Sequence, residues 1–207
     1  MTAPGGSAQD YTSDAFGNLI GAPGGITYGY DALGRLVTRG TSAGTASLSY
    51  LGTGSSVASD GSDDYSYDPS GSLVAAGAAG GTGYAALSDL HGDVTAAFSP
   101  SASASALAGS AAYGPYGAVI ASSGTMPGLG YQGAYTDPST GLVDMGARWY
   151  DPATGSFTAD DAVAGSPLPS TVDGNSYAYT AGDPLTETDP TGHLVSPPDV
   201  EVRPVPP

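Results

Sequence analysis

The chain has 207 residues with 33 Gly, 17 Pro and 14 Tyr, and its formal net charge of −16 disfavours nucleic acid and acidic membrane surfaces as partners. It has no Cys, which excludes disulfides and thiolate zinc sites, and its two His are too few for a His-based metal cluster. No apolar run approaches the length of a membrane span, and the N-terminus lacks a signal-peptide pattern.

A short motif of Tyr, Asp, Gly and an apolar residue recurs with variation along the chain. In its clearest copy, Tyr28 and Tyr30 precede Asp31, Gly34 and Leu36. Further copies lie at residues 11–19, 65–74, 113–119 and 149–157. Such internal repetition indicates a repeat architecture.

Each copy predicts a β-hairpin. Tyr at positions i and i+2 places two rings on one face of a strand. Asp at the first and Gly at the fourth position of a turn fit a type I turn, as at Asp31–Gly34 and Asp68–Gly71. Single hairpins are marginally stable in water, so neighbouring copies should bury a common face. The sequence therefore predicts an all-β fold of stacked hairpins in a curved sheet or partial shell, with little helix.

Gly/Ser/Ala-rich spacers separate the copies. Residues 47–52 and 89–96 resemble further strand-turn pieces, whereas residues 99–111 have low complexity and predict a loop. His91 and His193 are expected to be solvated loop residues.

Residues 141–192 form the most distinctive block. They contain the only Trp, Trp149, and three Asp-Pro pairs, beginning with Asp151-Pro152. Asp137 and Asp151 are expected to cap turns with their carboxylates. Arg148 is expected to pair with a nearby Asp and to stack on Trp149, although a role in a site stays open. After Gly192 the chain becomes rich in Pro, which predicts an extended tail.

These residues carry a family resemblance. The Tyr-Asp-x-x-Gly-Arg-Leu copies resemble YD repeats, and the block from Gly146-Ala147-Arg148-Trp149-Tyr150-Asp151-Pro152 to Asp189-Pro190-Thr191-Gly192-His193 is similar to the Rhs-repeat-associated core. The resemblance implies a β-strip that spirals into a hollow shell, closed at one end by the core. Bacterial polymorphic toxins, insecticidal toxin-complex subunits and animal teneurins share this shell. The division is then repeat hairpins at 1–130, the core at 131–193 and a Pro-rich tail at 194–207.

The resemblance also implies candidate protease residues, because the core of several family members cuts itself as an aspartyl-type protease. The matching carboxylates here are Asp161 and Asp189, and the bond cut would be His193–Leu194. The sequence departs from the family at four positions near the site, which are Asp160 in place of Arg, Ala162 in place of Pro, Ala164 in place of Gly and His193 in place of the usual Leu. An acidic neighbour in place of Arg puts the activity in doubt, because it would raise the pKa of Asp161 rather than lower it. The alternative is that both aspartates serve turns and local hydrogen bonds.

Three functional hypotheses follow. The first is a structural scaffold, the C-terminal end of a shell that encloses or caps a C-terminal toxin cargo. The second is self-cleavage after His193 by Asp161 and Asp189. The third is a surface module that binds glycans through exposed Tyr faces, although a buried hairpin face explains the Tyr pattern better.

Partners and location follow from the first hypothesis. We expect a cargo segment or further YD repeats as partners, or a homo-oligomer that forms through open sheet edges. Residues 194–207 are too few for a toxin domain, so the chain is expected to be part of a larger assembly. Secretion or cell-surface display is implied by the family alone. No cofactor or metal site is expected, since no phosphate loop, zinc or EF-hand signature is present.

Overall fold

The structure is a computed structural model that describes residues 11–78, 80–81, 83–101, 103–161 and 175–193. In this part of the chain the fold is antiparallel β, and the only helical elements are two three-residue 3-10 turns, Tyr131–Gly133 and Thr180–Gly182. The prediction of an all-β fold with little helix is confirmed. The expected tail at 194–207, together with Ala162 and Ala164, lies outside the described residues.

Three antiparallel sheets follow one another along the chain. The first sheet contains β1 (Thr12–Ser13), β2 (Leu19–Ala22), β3 (Ile26–Tyr30), β4 (Leu36–Thr41) and β5 (Gly44–Ser47). The second contains β6 (Ser49–Tyr50), β7 (Val57–Ser59), β8 (Asp64–Tyr67), β9 (Leu73–Gly77), β10 (Tyr84–Ser88), β11 (Val94–Phe98), β12 (Gly109–Tyr113) and β13 (Val119–Gly124). The third contains β14 (Val143–Asp144), β15 (Trp149–Asp151) and β16 (Ser156–Phe157). In each sheet, every strand pairs with the strand before it in sequence.

All five motif copies form hairpins. They correspond to the pairs β1–β2, β3–β4, β8–β9, β12–β13 and β15–β16. The predicted loop at 99–111 is wrong at its end, because β12 begins at Gly109 and pairs with both β11 and β13. Small residues fit between two neighbouring strands as well as they fit a loop, so composition alone did not distinguish the two structures.

One aspartate-centred turn is used repeatedly. Asp31 Oδ1 accepts hydrogen bonds from the backbone N–H groups of Leu33 at 2.8 Å and Arg35 at 3.0 Å. The N–H of Gly34 donates to the Asp31 carbonyl at 3.0 Å, and Gly34 has a φ of +78°, which favours glycine. The same bonds recur at Asp14, Asp68 and Asp89. The turns predicted at Asp31 and Asp68 are confirmed.

Tyrosine hydroxyls connect strands in a second recurring pattern. The hydroxyl of Tyr30 donates to the carbonyl of Leu19, the first residue of β2, at 2.6 Å. Tyr67 reaches Val57 at the start of β7 in the same way, at 2.8 Å. Equivalent bonds join Tyr50 to Leu36 and Tyr113 to Val94. These bonds need the rings to lie along the sheet, so the tyrosines cover the core and do not form a row of exposed rings.

One hydrophobic core is shared by the three sheets. Leu36 from the first sheet, Val94 from the second and Trp149 from the third belong to the same cluster of buried side chains. A second, aromatic cluster lies under the third sheet and includes Tyr131, Tyr150, Phe157 and Tyr179. The 131–193 block is therefore packed onto the hairpin sheets.

A buried ion pair fixes the junction between the first sheet and the 131–193 block. Asp137 is fully buried and accepts hydrogen bonds from Arg39 Nε at 2.6 Å and from the Tyr28 hydroxyl at 2.9 Å. It also caps its own turn, as expected, by accepting from the N–H of Ser139 at 2.7 Å. Burial raises the pKa of Asp137, but the hydrogen bonds from Arg39 and the backbone outweigh it, so the pKa lies below its usual value.

Candidate functional site

The turn at Asp189 is a buried version of the hairpin turn. Asp189 Oδ1 accepts a hydrogen bond from the N–H of His193 at 3.1 Å, just as Asp68 Oδ1 accepts from the N–H of Ser72 at 3.0 Å. Both turns have the sequence Asp-Pro-x-Gly. Asp189 is only 2% exposed, however, so its second oxygen needs a partner inside the protein.

That partner is Arg148, which lies between β14 and β15. Its guanidinium Nη2 is 3.1 Å from Asp161 Oδ2 and 3.5 Å from Asp189 Oδ2. The two aspartates proposed from the sequence, 28 positions apart, are thus held by one guanidinium. The structure therefore brings both candidate residues together, and the residue that joins them is one for which the sequence left a site role open.

The other donors of Arg148 bind backbone carbonyls. Nε donates to Gly192 O, and Nη1 donates to Ser176 O at 2.7 Å. The guanidinium carbon lies 3.6 Å from the centre of the Phe157 ring. Stacking on Trp149 was therefore the wrong prediction, because Trp149 faces the shared core and its indole N–H donates to the Tyr30 hydroxyl at 2.8 Å.

Arg148 remains a cation despite its burial. Burial lowers its pKa, whereas the charges of Asp161, Asp189 and Asp160 act in the opposite direction. An arginine keeps its proton in such surroundings because its unperturbed pKa is above about 12. The sequence departure noted at Asp160, where the family commonly has Arg, is thus met by a positive charge from a different strand. A single Arg within an apolar strand pair was the only sequence signal for this role.

His193 completes the site. Its ring Nδ1 lies 2.8 Å from Asp161 Oδ1, and its side chain is one-third exposed. The expectation of a solvated loop histidine is therefore wrong in this respect. The backbone before the predicted scissile bond is held at three points, since the Thr191 carbonyl also accepts from the Ala147 N–H at 3.1 Å.

This arrangement has the elements of general acid–base chemistry next to a peptide bond. Two carboxylates and an imidazole surround the residue whose carbonyl would be attacked, and a fixed cation neutralises their charge. Among the described residues, no group of three or more His, Asp or Glu side chains is placed to hold a metal ion. None of the helices found in those residues has the length and apolar character to cross a membrane.

Comparison with known proteins identifies the family. A model of the family described as Teneurin YD-shell matches residues 5–185, which is most of the chain. The chain belongs to the teneurin YD-shell family. This assignment confirms the resemblance to YD-repeat proteins and, with the structure, a role as part of a shell scaffold.

Solved YD-shell structures share the fold. A crystal structure of TcdB2-TccC3-TEV superposes with a TM-score of 0.66 over 89% of this chain, at 18% identity. A Tc holotoxin pore structure from Photorhabdus luminescens superposes with a TM-score of 0.58 over 89%, at 17% identity. This chain covers 10% and 9% of those two chains, respectively.

Curated relatives match over a shorter segment. The tRNA nuclease WapA of Bacillus subtilis strain 168 is 42% identical over 65 residues, or 31% of this chain. The tRNA3(Ser)-specific nuclease WapA of Bacillus spizizenii gives the same values. This YD-shell chain spans only 3% of the length of either relative.

Replacing Gly192 tests how tightly the last turn is held. A Cβ at Gly192 would lie 2.8 Å from Met145 O and 2.9 Å from Arg148 N, whereas a Cβ at Gly71 would have no neighbour within 4 Å. Both glycines have positive φ, at +72° and +89°. We expect Gly71→Ala to cost about 1–2 kcal/mol from backbone strain alone. Gly192→Ala should cost a further ~1–3 kcal/mol from overpacking.

Chemical denaturation of the two variants and the parent chain measures this difference. Equal losses of unfolding free energy at the two positions would show that the 189–193 turn is not packed as described.

Proposed function

We propose that residues 131–193 form the cap of a YD shell, at the point where the polypeptide leaves the repeat sheets toward a C-terminal cargo. In this proposal residues 1–130 are wall hairpins and 194–207 are the start of the exit segment. The supporting observation is that the 131–193 block shares its core with the hairpin sheets and ends in the clamped turn at Asp189. A fixed turn gives the exiting chain a defined starting point.

The comparisons are consistent with this role. The matched 65 residues make up 3% of proteins named as tRNA nucleases, as expected if a shell segment is attached to a separate toxic domain. We therefore propose a toxin domain as the cargo and secretion or surface display as the setting. Further YD repeats are proposed to pair with the outer edges of β1 and β13, which have one neighbouring strand each.

Trp149 provides a direct test of the cap. It is the only Trp in the chain, is 3% exposed, and its ring lies 4.7 Å from that of Tyr28 in the first sheet. Its fluorescence therefore reports whether the cap is docked on the wall. A cap that is integral to the shell should unfold with it, so fluorescence and far-UV circular dichroism should give coincident denaturation curves. A Trp149 transition at clearly lower denaturant would show that the block is an appended unit rather than a cap.

Self-cleavage after His193 is a second candidate function, favoured by the convergence of Asp161, Asp189 and Arg148. One carboxylate would take a proton from a water molecule whose oxygen attacks the His193 carbonyl carbon. The other, as a carboxylic acid, would donate a proton to the Leu194 nitrogen as the peptide bond breaks. The products are a new carboxyl terminus at His193 and a free amine at Leu194. Arg148 would position both carboxylates and, through Gly192 O, the backbone next to the bond.

The intact mass of the purified chain tests this reaction. We expect loss of residues 194–207 over time, faster at about pH 5 than at about pH 8, because one of the two carboxyls must be protonated. Asp161→Asn and Asp189→Asn should each prevent the loss. Asp151→Asn is the matched control, since Asp151 also caps an Asp-Pro turn but makes no contact with Arg148 among the described residues.

Two results would reject self-cleavage. One is a full-length mass that is stable for days at both pH values. The other is cleavage that continues unchanged in both site variants. In either case the Asp189 turn is purely architectural, and the cap proposal still stands on the Trp149 result.

A further inference from the structure

A cleft on the second sheet, far in sequence from Arg148, has the properties of a binding site. It measures about 270 Å³, many times the ~10–15 Å³ that one water needs. Its walls include Asp89, His91 and Asp93 from the β10–β11 turn, the rings of Tyr113 and Tyr131, and Leu185. We refer to it as the His91 cleft.

The carboxylates of the His91 cleft have unused acceptor atoms. Asp89 Oδ1 accepts from the N–H groups of its own turn, and Asp93 Oδ1 accepts from Gln132 N at 2.9 Å and from His91 Nδ1 at 3.2 Å. Within the described residues, the Oδ2 atoms of Asp89 and Asp93 make no hydrogen bond. Asp93 is only 6% exposed, so this free oxygen is a costly feature unless the cleft receives a donor.

His91 contributes a third acceptor. A carboxylate can only accept, so Nδ1 must be the protonated nitrogen that faces Asp93. In the neutral ring Nε2 then has a free lone pair. Nε2 is buried and has no hydrogen-bond partner in the described part of the chain.

The donors of the cleft are already used. The Tyr113 hydroxyl donates to Val94 O at 3.2 Å, and the Tyr131 hydroxyl donates to Pro115 O at 3.5 Å. The remaining polar atoms of the lining side chains are therefore all acceptors. Such a cleft suits a ligand that only donates, and an ammonium group has three donors and no acceptor.

The chain provides no cation of its own for this position among its described residues. The sequence has no Lys, and the three described arginines are engaged elsewhere, Arg35 with Asp31, Arg39 with Asp137, and Arg148 with Asp161 and Asp189. The remaining walls of the cleft, Pro115, Pro184 and Leu185, are apolar and suit an aliphatic stem. Two tyrosine faces add attraction for a cation.

We propose that the His91 cleft binds a primary ammonium group carried on an aliphatic stem. The ammonium lies among Asp89, Asp93 and His91 Nε2, and the stem lies against Leu185. Because this chain has no Lys, a lysine side chain would come from a partner polypeptide, and a free polyamine is the other source of the same chemistry. The proposal does not depend on the cap or on self-cleavage.

The backbone beside the cleft is held in an unusual conformation. The positive-φ residues other than glycine in the described chain are Gln132, Thr180 and Ala181, at +52°, +48° and +49°. Gln132 is held by Asp93, and the 180–182 turn leads directly into Pro184 and Leu185. Strain of this kind costs energy and concentrates at binding sites.

Nuclear magnetic resonance titration of the full chain tests the proposal, with n-butylamine as the probe and n-butanol as its neutral control. We expect saturable shifts of the His91 ring and the 89–93 amides, with half-saturation at about millimolar butylamine. Butanol should give no saturable shift. No saturation with butylamine, or equal effects of the two probes, would overturn the proposal.

Charge-removing variants locate the site. Asp89→Asn and Asp93→Asn keep the Oδ1 acceptor that each turn needs but lose the anion, so each should weaken butylamine binding at least about tenfold. Asp68→Asn is the matched control, because Asp68 makes the same turn bonds and does not line the cleft. A similar loss in Asp68→Asn, or no loss in the cleft variants, would contradict the assignment.

The pH dependence gives an independent signature. The hydrogen bond from Asp93 raises the pKa of His91 against the opposing effect of burial, and Asp89 and the backbone of Glu187 act in the same direction as Asp93. Tyr131 is the titratable ring packed on the other face, 5.5 Å away. A proton and the ammonium compete for Nε2, so affinity should fall as pH falls through the pKa of His91. His91→Gln should remove this pH dependence, and a dependence that persists in that variant would count against the role of Nε2.

Two further probes distinguish the source of the ammonium. Tighter binding of a short peptide with one Lys than of its Nε-acetylated form indicates a partner polypeptide, and tighter binding of cadaverine indicates a free polyamine. Both results support the site. Stronger binding of Zn²⁺ or Ca²⁺ than of either amine would instead make it a metal site and overturn the proposal.

Discussion

The guanidinium of Arg148 is the interaction on which the C-terminal part of this structure depends. It pairs with Asp161 and Asp189, binds the carbonyls of Gly192 and Ser176, and stacks on a ring of the third sheet. Segments that are distant in sequence meet at this one side chain. Removing it would leave buried carboxylates without a counterion, which is far more costly than losing an exposed ion pair.

The scarcity of positive charge gives each arginine a defined place. In a chain with a net charge of −16, most aspartates lie in turns, where backbone N–H groups and water stabilise them. Asp137 and Asp189 are buried instead, and each of them is met by an arginine from another segment. The His91 cleft is a place where carboxylates converge without such a cation, and it therefore differs from the rest of the molecule.

The hairpins could be predicted because their signals are local. Asp31, Gly34 and the paired tyrosines act within a few residues of one another, and backbone geometry then determines the turn and the face of each ring. The same rule explains why the Asp189 turn was recognised as a turn. Its burial was not visible, because exposure depends on which other segments pack over it, and Asp68 has the same local sequence at the surface.

The features that were missed all depend on contacts between distant segments. Arg148 and Phe157 meet because β15 and β16 pair, and the ion pair between Arg39 and Asp137 joins residues 98 positions apart. Asp161 and Asp189 were paired by resemblance to a family and not by spacing. His91 was expected in solvent because a Gly-flanked histidine in a polar turn has no local signal for burial.

Amide hydrogen exchange at residues 189–193 is the most direct test of the central claim, that Arg148 clamps the turn at which the shell ends. In the parent chain the His193 and Ala147 amides should be protected, because they bond to Asp189 and Thr191. In Arg148→Met both should exchange much faster, while amides of the β3–β4 hairpin keep their protection. Equal exchange at 189–193 in the two proteins would contradict the account and leave Arg148 as an ordinary buried side chain.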